Sequence, residues 1–266
     1  MKRSDFVTII NPQNSSQEEI YRDIILSVGL REPHVFYFPD ILKNENEEIY
    51  WDQGKYRSKF SDIKEFFAKD IAASLDDRPC VILSSRHCPA AYCFNDGSTA
   101  FITFDAHNDS LQSISFWDIP PFHYGLFGEG DFLLKRKGET HIIGTSITSE
   151  ASQIPTYKAS KAHEVLGKKI PSKIFLSLDI DVFDSSVTQA HYWPHQSWID
   201  GLARFFHYKN HMFFEEVKDL SVKLAKGREV KGVHVAGYEP LFDEPGLKTA
   251  EMIKSYLSSV LDEIKG

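Results

Sequence analysis

Short apolar runs alternate with amphipathic stretches along this chain, and that rhythm predicts a regular succession of strands and helices. The runs HVFYF (34–38), CVILSS (80–85), AFITFDAH (100–107), HIIGTSI (141–147), KIFLSLDID (173–181) and GVHVAGYEP (232–240) read as strands, with VTII (7–10) as a seventh. Most are continuous in β-branched and aromatic residues, the pattern of strands covered on both faces. The stretches between them repeat their apolar residues at helical spacing. SQEEIYRDIILSVG opens with Ser16 and Glu19 at capping-box spacing. Residues 57–75 space Phe60, Ile63, Phe66, Phe67 and Ile71 as one helix face, and TYKASKAHEVLGKK, FFEEVKDLSVKLAKG and TAEMIKSYLSSVLDEIKG complete the helical set. Strand–helix alternation of this kind implies an α/β fold, a mainly parallel sheet sandwiched between helices. Asn44 to Arg57 is a charged loop, no segment repeats, and no linker divides the chain, so one domain is expected over 1–266.

Composition narrows the function. With 30 basic and 38 acidic residues the net charge is −8, the wrong sign for a nucleic-acid binder, which needs basic groups to displace counterions from phosphates. No apolar run reaches the length of a membrane span. The N-terminus MKRSDFVTIINPQNSS lacks the apolar stretch of a signal peptide, which points to a cytoplasmic protein. Cys80, Cys88 and Cys93 are odd in number and lack the paired spacing of a structural zinc site, so buried free thiols are expected.

The chemistry is concentrated where two of the strands run out. Phe104-Asp105-Ala106-His107-Asn108-Asp109 follows one apolar run, and Ser177-Leu178-Asp179-Ile180-Asp181-Val182-Phe183-Asp184 ends another. In open α/β sheets ligands bind at the carboxyl ends of the strands. Residues two apart on a strand share a face, so Asp105, His107 and Asp109 can converge, as can Asp179 and Asp181. Either motif alone could be a turn or a helix cap. Together they crowd carboxylates that repel one another, and a bound cation removes that penalty. Carboxylates with one or two imidazoles suit a hard or borderline ion such as Mn²⁺ better than a thiolate zinc site does.

These two clusters resemble the signatures Asp-Ala-His-x-Asp and Ser-x-Asp-x-Asp-x-x-Asp of the arginase–agmatinase (ureohydrolase) family, and both are complete here. The likeness runs from about residue 80 to the C-terminus. It implies an arginase-like three-layer α/β/α fold, two Mn²⁺ per chain, a metal-bridging hydroxide as nucleophile and a small guanidino or amidino compound as substrate. It also implies a trimer or hexamer. Carried over position by position, one ion takes His87, Asp105, Asp109 and Asp179, and the other takes His107, Asp105, Asp179 and Asp181. Asp105 and Asp179 then bridge, and Asp109 also accepts a hydrogen bond from the nucleophile. His123, in Phe122-His123-Tyr124-Gly125, matches the family's proton-shuttle histidine, with His141 as a weaker alternative.

Three departures bear on the substrate. Arg86 stands beside His87 where the family has an acidic residue, and its forked guanidinium suits an anionic substrate. The family's guanidinium-holding glutamate falls on Gly237, while Glu239 occupies the place of the family's asparagine. A guanidinium in a dry pocket needs a carboxylate, so either Glu239 serves from a shifted position or the substrate carries no guanidinium. Finally, a His191-Tyr192-Trp193-Pro194-His195-Gln196-Ser197-Trp198 loop replaces the family's glycine-rich one; its Trp193 and Trp198 would face a ring or a cation in a flat-sided pocket, and His191 and Trp193 are the loop's candidate substrate-binding residues. The alternatives to a guanidino hydrolase are a related metal-dependent amidohydrolase or deacetylase with another substrate, and an inactive metal-binding family member.

Overall fold

The computed structural model of the chain describes residues 2–12, 14–37, 66–85, 88–90, 92–106, 133, 136–145, 154–184, 187–188, 190 and 212–265. Their strands are β1 (Val7–Asn11), β2 (His34–Val35), β3 (Cys80–Ser84), β4 (Thr99–Phe104), β5 (Thr140–Thr145), β6 (Thr156–Lys158), β7 (Lys173–Asp179) and β8 (Glu229–Ala236). They form one sheet in the order β2-β1-β3-β8-β7-β4-β5-β6, and every pairing is parallel. The sheet is therefore parallel throughout the described residues, as the uninterrupted apolar runs predict.

Helices cover both faces. On one side α1 (Ser15–Ser27), α3 (Phe214–Ala225) and α4 (Lys248–Lys265) pack on Ile10, Leu83, Ile102, Leu176 and Val233. The buried residues of α3 are Val217, Leu220, Ser221, Leu224 and Ala225, spaced i, i+3, i+4, i+7, i+8 as one helix face requires. On the other side the helix over 66–74, α2, sets Phe67, Ala68 and Ile71 against Val7, Ile9, Cys80 and Ile82. The predicted residues Phe60 and Ile63 lie outside the described residues. Cys80 and Cys93 are buried free thiols, as expected.

Three expectations need correction. The 156–169 segment is not an α-helix: residues 156–158 form the edge strand β6, and Ala159–Gly167 is a 3-10 helix. Its buried residues, Ala159, Ala162 and Val165, recur every three positions, the 3-10 period rather than 3.6. The cap of α1 is Asn14, not Ser16: Asn14 has extended backbone and its side chain accepts the Gln17 N–H. The apolar runs also overstate the strands at their carboxyl ends. β4 stops at Phe104 and β7 at Asp179, so Asp105 and Asp181 lie just beyond their strands and Asp179 is the last residue of its own, at the rim of the sheet.

Candidate metal centre

One face of the sheet changes polarity along its strands. Period-two alternation puts Phe101, Thr103 and Asp105 on one side of β4 and its extension, and Phe175, Ser177 and Asp179 on the same side of β7. The stacked rings of Phe101 and Phe175, 5.3 Å apart, mark the apolar end. The middle layer is a buried polar bridge. His234 on β8 has no exposed surface, and its Nε2 lies 2.7 Å from Ser84 Oγ on β3 while its Nδ1 lies 3.0 Å from Ser177 Oγ on β7. A neutral ring can donate to one hydroxyl and accept from the other. His234→Ala is expected to lower unfolding free energy by about 2–4 kcal/mol, because it opens a cavity and removes two buried hydrogen bonds. Denaturant unfolding checks this, and an unchanged midpoint would contradict the bridge.

Above that layer sit the carboxylates. Oxygens of Asp105, Asp179 and Asp181 all lie within 4.8 Å of one another. All three residues are buried, at 1%, 4% and 8% exposure, a burial that free carboxylates avoid. Convergence does not come from the strand pleat, as the spacing predicts, but from a cap. The chain leaves β7 at Asp179, whose Oδ1 accepts the Asp181 N–H at 3.0 Å and starts a one-turn 3-10 helix, Ile180–Val182. Ile180 and Val182 anchor that turn in the core, which folds Asp181 back beside Asp179. Asp105 N–H donates to the Ile143 carbonyl on β5 at 2.8 Å, and Ala106 N–H donates to Asp181 Oδ1 at 3.3 Å. The last bond ties one sequence cluster to the other.

Two glycines let the backbone close around this site. Gly144 on β5, at φ +102°, faces Val182 and the Asp105 carbonyl, and Gly237, at φ +76°, faces the Asp179 carboxylate. In the sequence Gly237 reads as a missing glutamate, and neither Gly144 nor His234 stands out. The signal for His234 is a polar residue in each of three neighbouring apolar strands: Ser177 on β7 pairs with it in register, and Ser84 on β3 stands two residues beyond its partner Ile82.

Of the other expected site residues, Glu239 is described. It is buried, and burial raises its pKa above the usual carboxylate value. Its Oε1 accepts the Leu241 N–H at 3.4 Å, capping the Pro240–Phe242 turn, and its Oε2 lies 3.4 Å from Gln17 Nε2 of α1. Tyr21 donates to the Tyr238 carbonyl alongside, at 2.5 Å. His141 is also described and stands away from the carboxylates. It pairs in register with Ile102, three residues before Asp105, which is about 10 Å down the strands. Its ring bonds Glu139 at 2.7 Å and stacks on Tyr157. His87, Arg86, His107, Asp109, His123, His191 and Trp193 lie outside the described residues.

No family model and no curated protein matches the sequence. Solved structures do match over nearly the whole chain. Agmatine ureohydrolase of Thermoplasma volcanium gives a TM-score of 0.64 at 14% identity, covering 99% of this chain and 90% of its own. Entamoeba histolytica arginase in complex with L-ornithine gives 0.64 at 15% identity, covering 97% and 99%. Formimidoylglutamase from Bacillus subtilis gives 0.61 at 15% identity, covering 98% and 87%. At this identity the likeness speaks to architecture: the chain has the α/β/α fold shared by arginases, agmatinases and formimidoylglutamase.

Proposed function

We propose that the protein is a metal-dependent hydrolase of a non-peptide C–N bond in a small amidino or guanidino compound, and that its metal is a pair of Mn²⁺ ions. The observation that carries this reading is the buried triad Asp105, Asp179 and Asp181 at the carboxyl ends of β4 and β7. The donors among the described residues are all carboxylate oxygens, which fit a hard divalent cation and not a thiophilic one. The complete Asp105-to-Asp109 and Ser177-to-Asp184 motifs and the arginase-like fold support it further.

Asp105, Asp179 and Asp181 would hold the ions, with His87, His107 and Asp109 completing the two sets. Manganese bound there supplies Lewis acidity, polarising the substrate and bringing the pKa of water toward neutrality. The remaining work falls to the chain. Asp109 accepts a hydrogen bond from the attacking water and orients it. His123 delivers a proton to the leaving nitrogen, without which an amide ion would have to depart. Arg86, Glu239, His191 and Trp193 belong to the substrate side.

Substrate choice follows from charge. Glu239 is already engaged by Leu241 N–H and Gln17, and Gly237 offers no side chain. A formimino, amidino or guanidino compound with an anionic tail for Arg86 therefore fits better than one that is purely cationic. The test is ammonia, urea or formamide release from a panel of formimino, amidino and guanidino compounds with Mn²⁺ supplied. Turnover of the members with an anionic tail is expected. Silence across the panel by a manganese-loaded protein would overturn the hydrolase reading and favour a metal-binding protein without catalysis.

A further inference from the structure

The Gly237 position carries more than an absence. A Cβ built there would come closer than 3.0 Å to Asp179 Oδ1, nearer than real Cβ atoms approach, and within 3.7 Å of Ile180 N. The φ of +76° is itself one that side-chain-bearing residues rarely adopt. Asp179 cannot yield freely, because the same Oδ1 holds the Asp181 N–H at 3.0 Å and so defines the 180–182 turn. That turn presents Asp181 Oδ1 to Ala106 N–H, next to Asp105. A displaced Asp179 would therefore disturb all three carboxylates.

We propose that Gly237 is a positioning residue for the metal centre: by withholding a side chain at the end of β8 it fixes the Asp179 carboxylate against the 180–182 turn. The proposal rests on the metal reading above, which makes the carboxylate geometry matter. It also means that this strand end can present only backbone to a ligand, since the space of a side chain is already filled by Asp179.

The fold supplies its own control. Gly227 has φ +70°, close to that of Gly237, yet among the described residues no heavy atom lies within 4 Å of its Cβ position, and it sits before β8 at the opposite end of the strand. Gly227→Ala and Gly237→Ala thus share the backbone strain and differ in the contact. Calorimetric titration with Mn²⁺ is expected to give wild-type affinity for Gly227→Ala. Gly237→Ala should bind about 10–100-fold more weakly, the range for groups that orient metal ligands. Wild-type affinity in a folded Gly237→Ala protein would overturn the proposal.

A metal-free measurement separates the contact from the metal reading. In a double-mutant cycle, Gly237→Ala is expected to lower Tm sharply beside Asp179, and only as much as Gly227→Ala does in an Asp179→Ala background. Equal losses in both backgrounds would overturn it. Should Gly237→Ala alone fail to fold, folding of the double variant supports the contact, and failure of the double variant beside a folded Asp179→Ala refutes it. A wild-type protein that binds no Mn²⁺ defeats the metal reading, whatever the cycle returns.

Discussion

Asp179→Ala is expected to lose Mn²⁺ binding and hydrolysis together while keeping its fold. On the proposed assignment Asp179 serves both ions, so its removal takes a ligand from each, and it also releases the Asp181 N–H that starts the 180–182 turn. Stability should not follow activity down. In the metal-free state the variant loses one cap bond but also one of three crowded carboxylates, and those terms oppose each other. The clearest signature is the response to metal. On the proposed reading Mn²⁺ binds the folded state and should raise the wild-type Tm, by a free energy that grows with the logarithm of free metal over Kd. The Tm of Asp179→Ala should stay flat across the same titration. A metal-dependent rise in the variant equal to that of wild type would contradict the assigned role.

His123→Ala is expected to give the opposite pattern. The imidazole is assigned to the leaving nitrogen, not to the ions, so both Mn²⁺ should remain and the Tm rise should match wild type. The rate should fall by about 10²–10⁴-fold, the usual share of a positioned acid. The loss should be largest for the substrate with the most basic leaving nitrogen, because that departure depends most on protonation. The alkaline limb of the pH–rate profile should change as well, because a positioned acid acts only while it holds its proton. Loss of metal in this variant would move His123 into the ligand set, and an undiminished rate would remove it from the mechanism.

The residues differ in how openly they declared these roles. Asp105 and Asp179 were readable because each ends an apolar run, and an acidic group just past such a run must sit at the rim of a parallel sheet. Their convergence was readable, but not its cause. Period two suggested a shared strand face for Asp179 and Asp181, whereas a capping bond folds the chain back after the strand has ended. Capping depends on where a strand stops, which neighbouring strands decide. The same limit hid the 159–167 segment. Its composition suits an α-helix, but contact with β5 and β6 buries every third residue and holds a 3-10 helix. Gly237 was visible only as a gap in a pattern, since a close approach to Asp179 requires both strands to be placed first. His234 was masked by its setting in an apolar strand, where one imidazole between two valines gives no hint of hydroxyls on both neighbouring strands.

The proposed function requires cations that offset the charge of Asp105, Asp179 and Asp181. The direct measurement is metal content per chain after equilibration with Mn²⁺ and removal of the excess. Two ions per chain, falling to none in Asp179→Ala, is the predicted result. A wild-type chain that retains none, or that holds a single tightly bound zinc in preference to manganese, would contradict it.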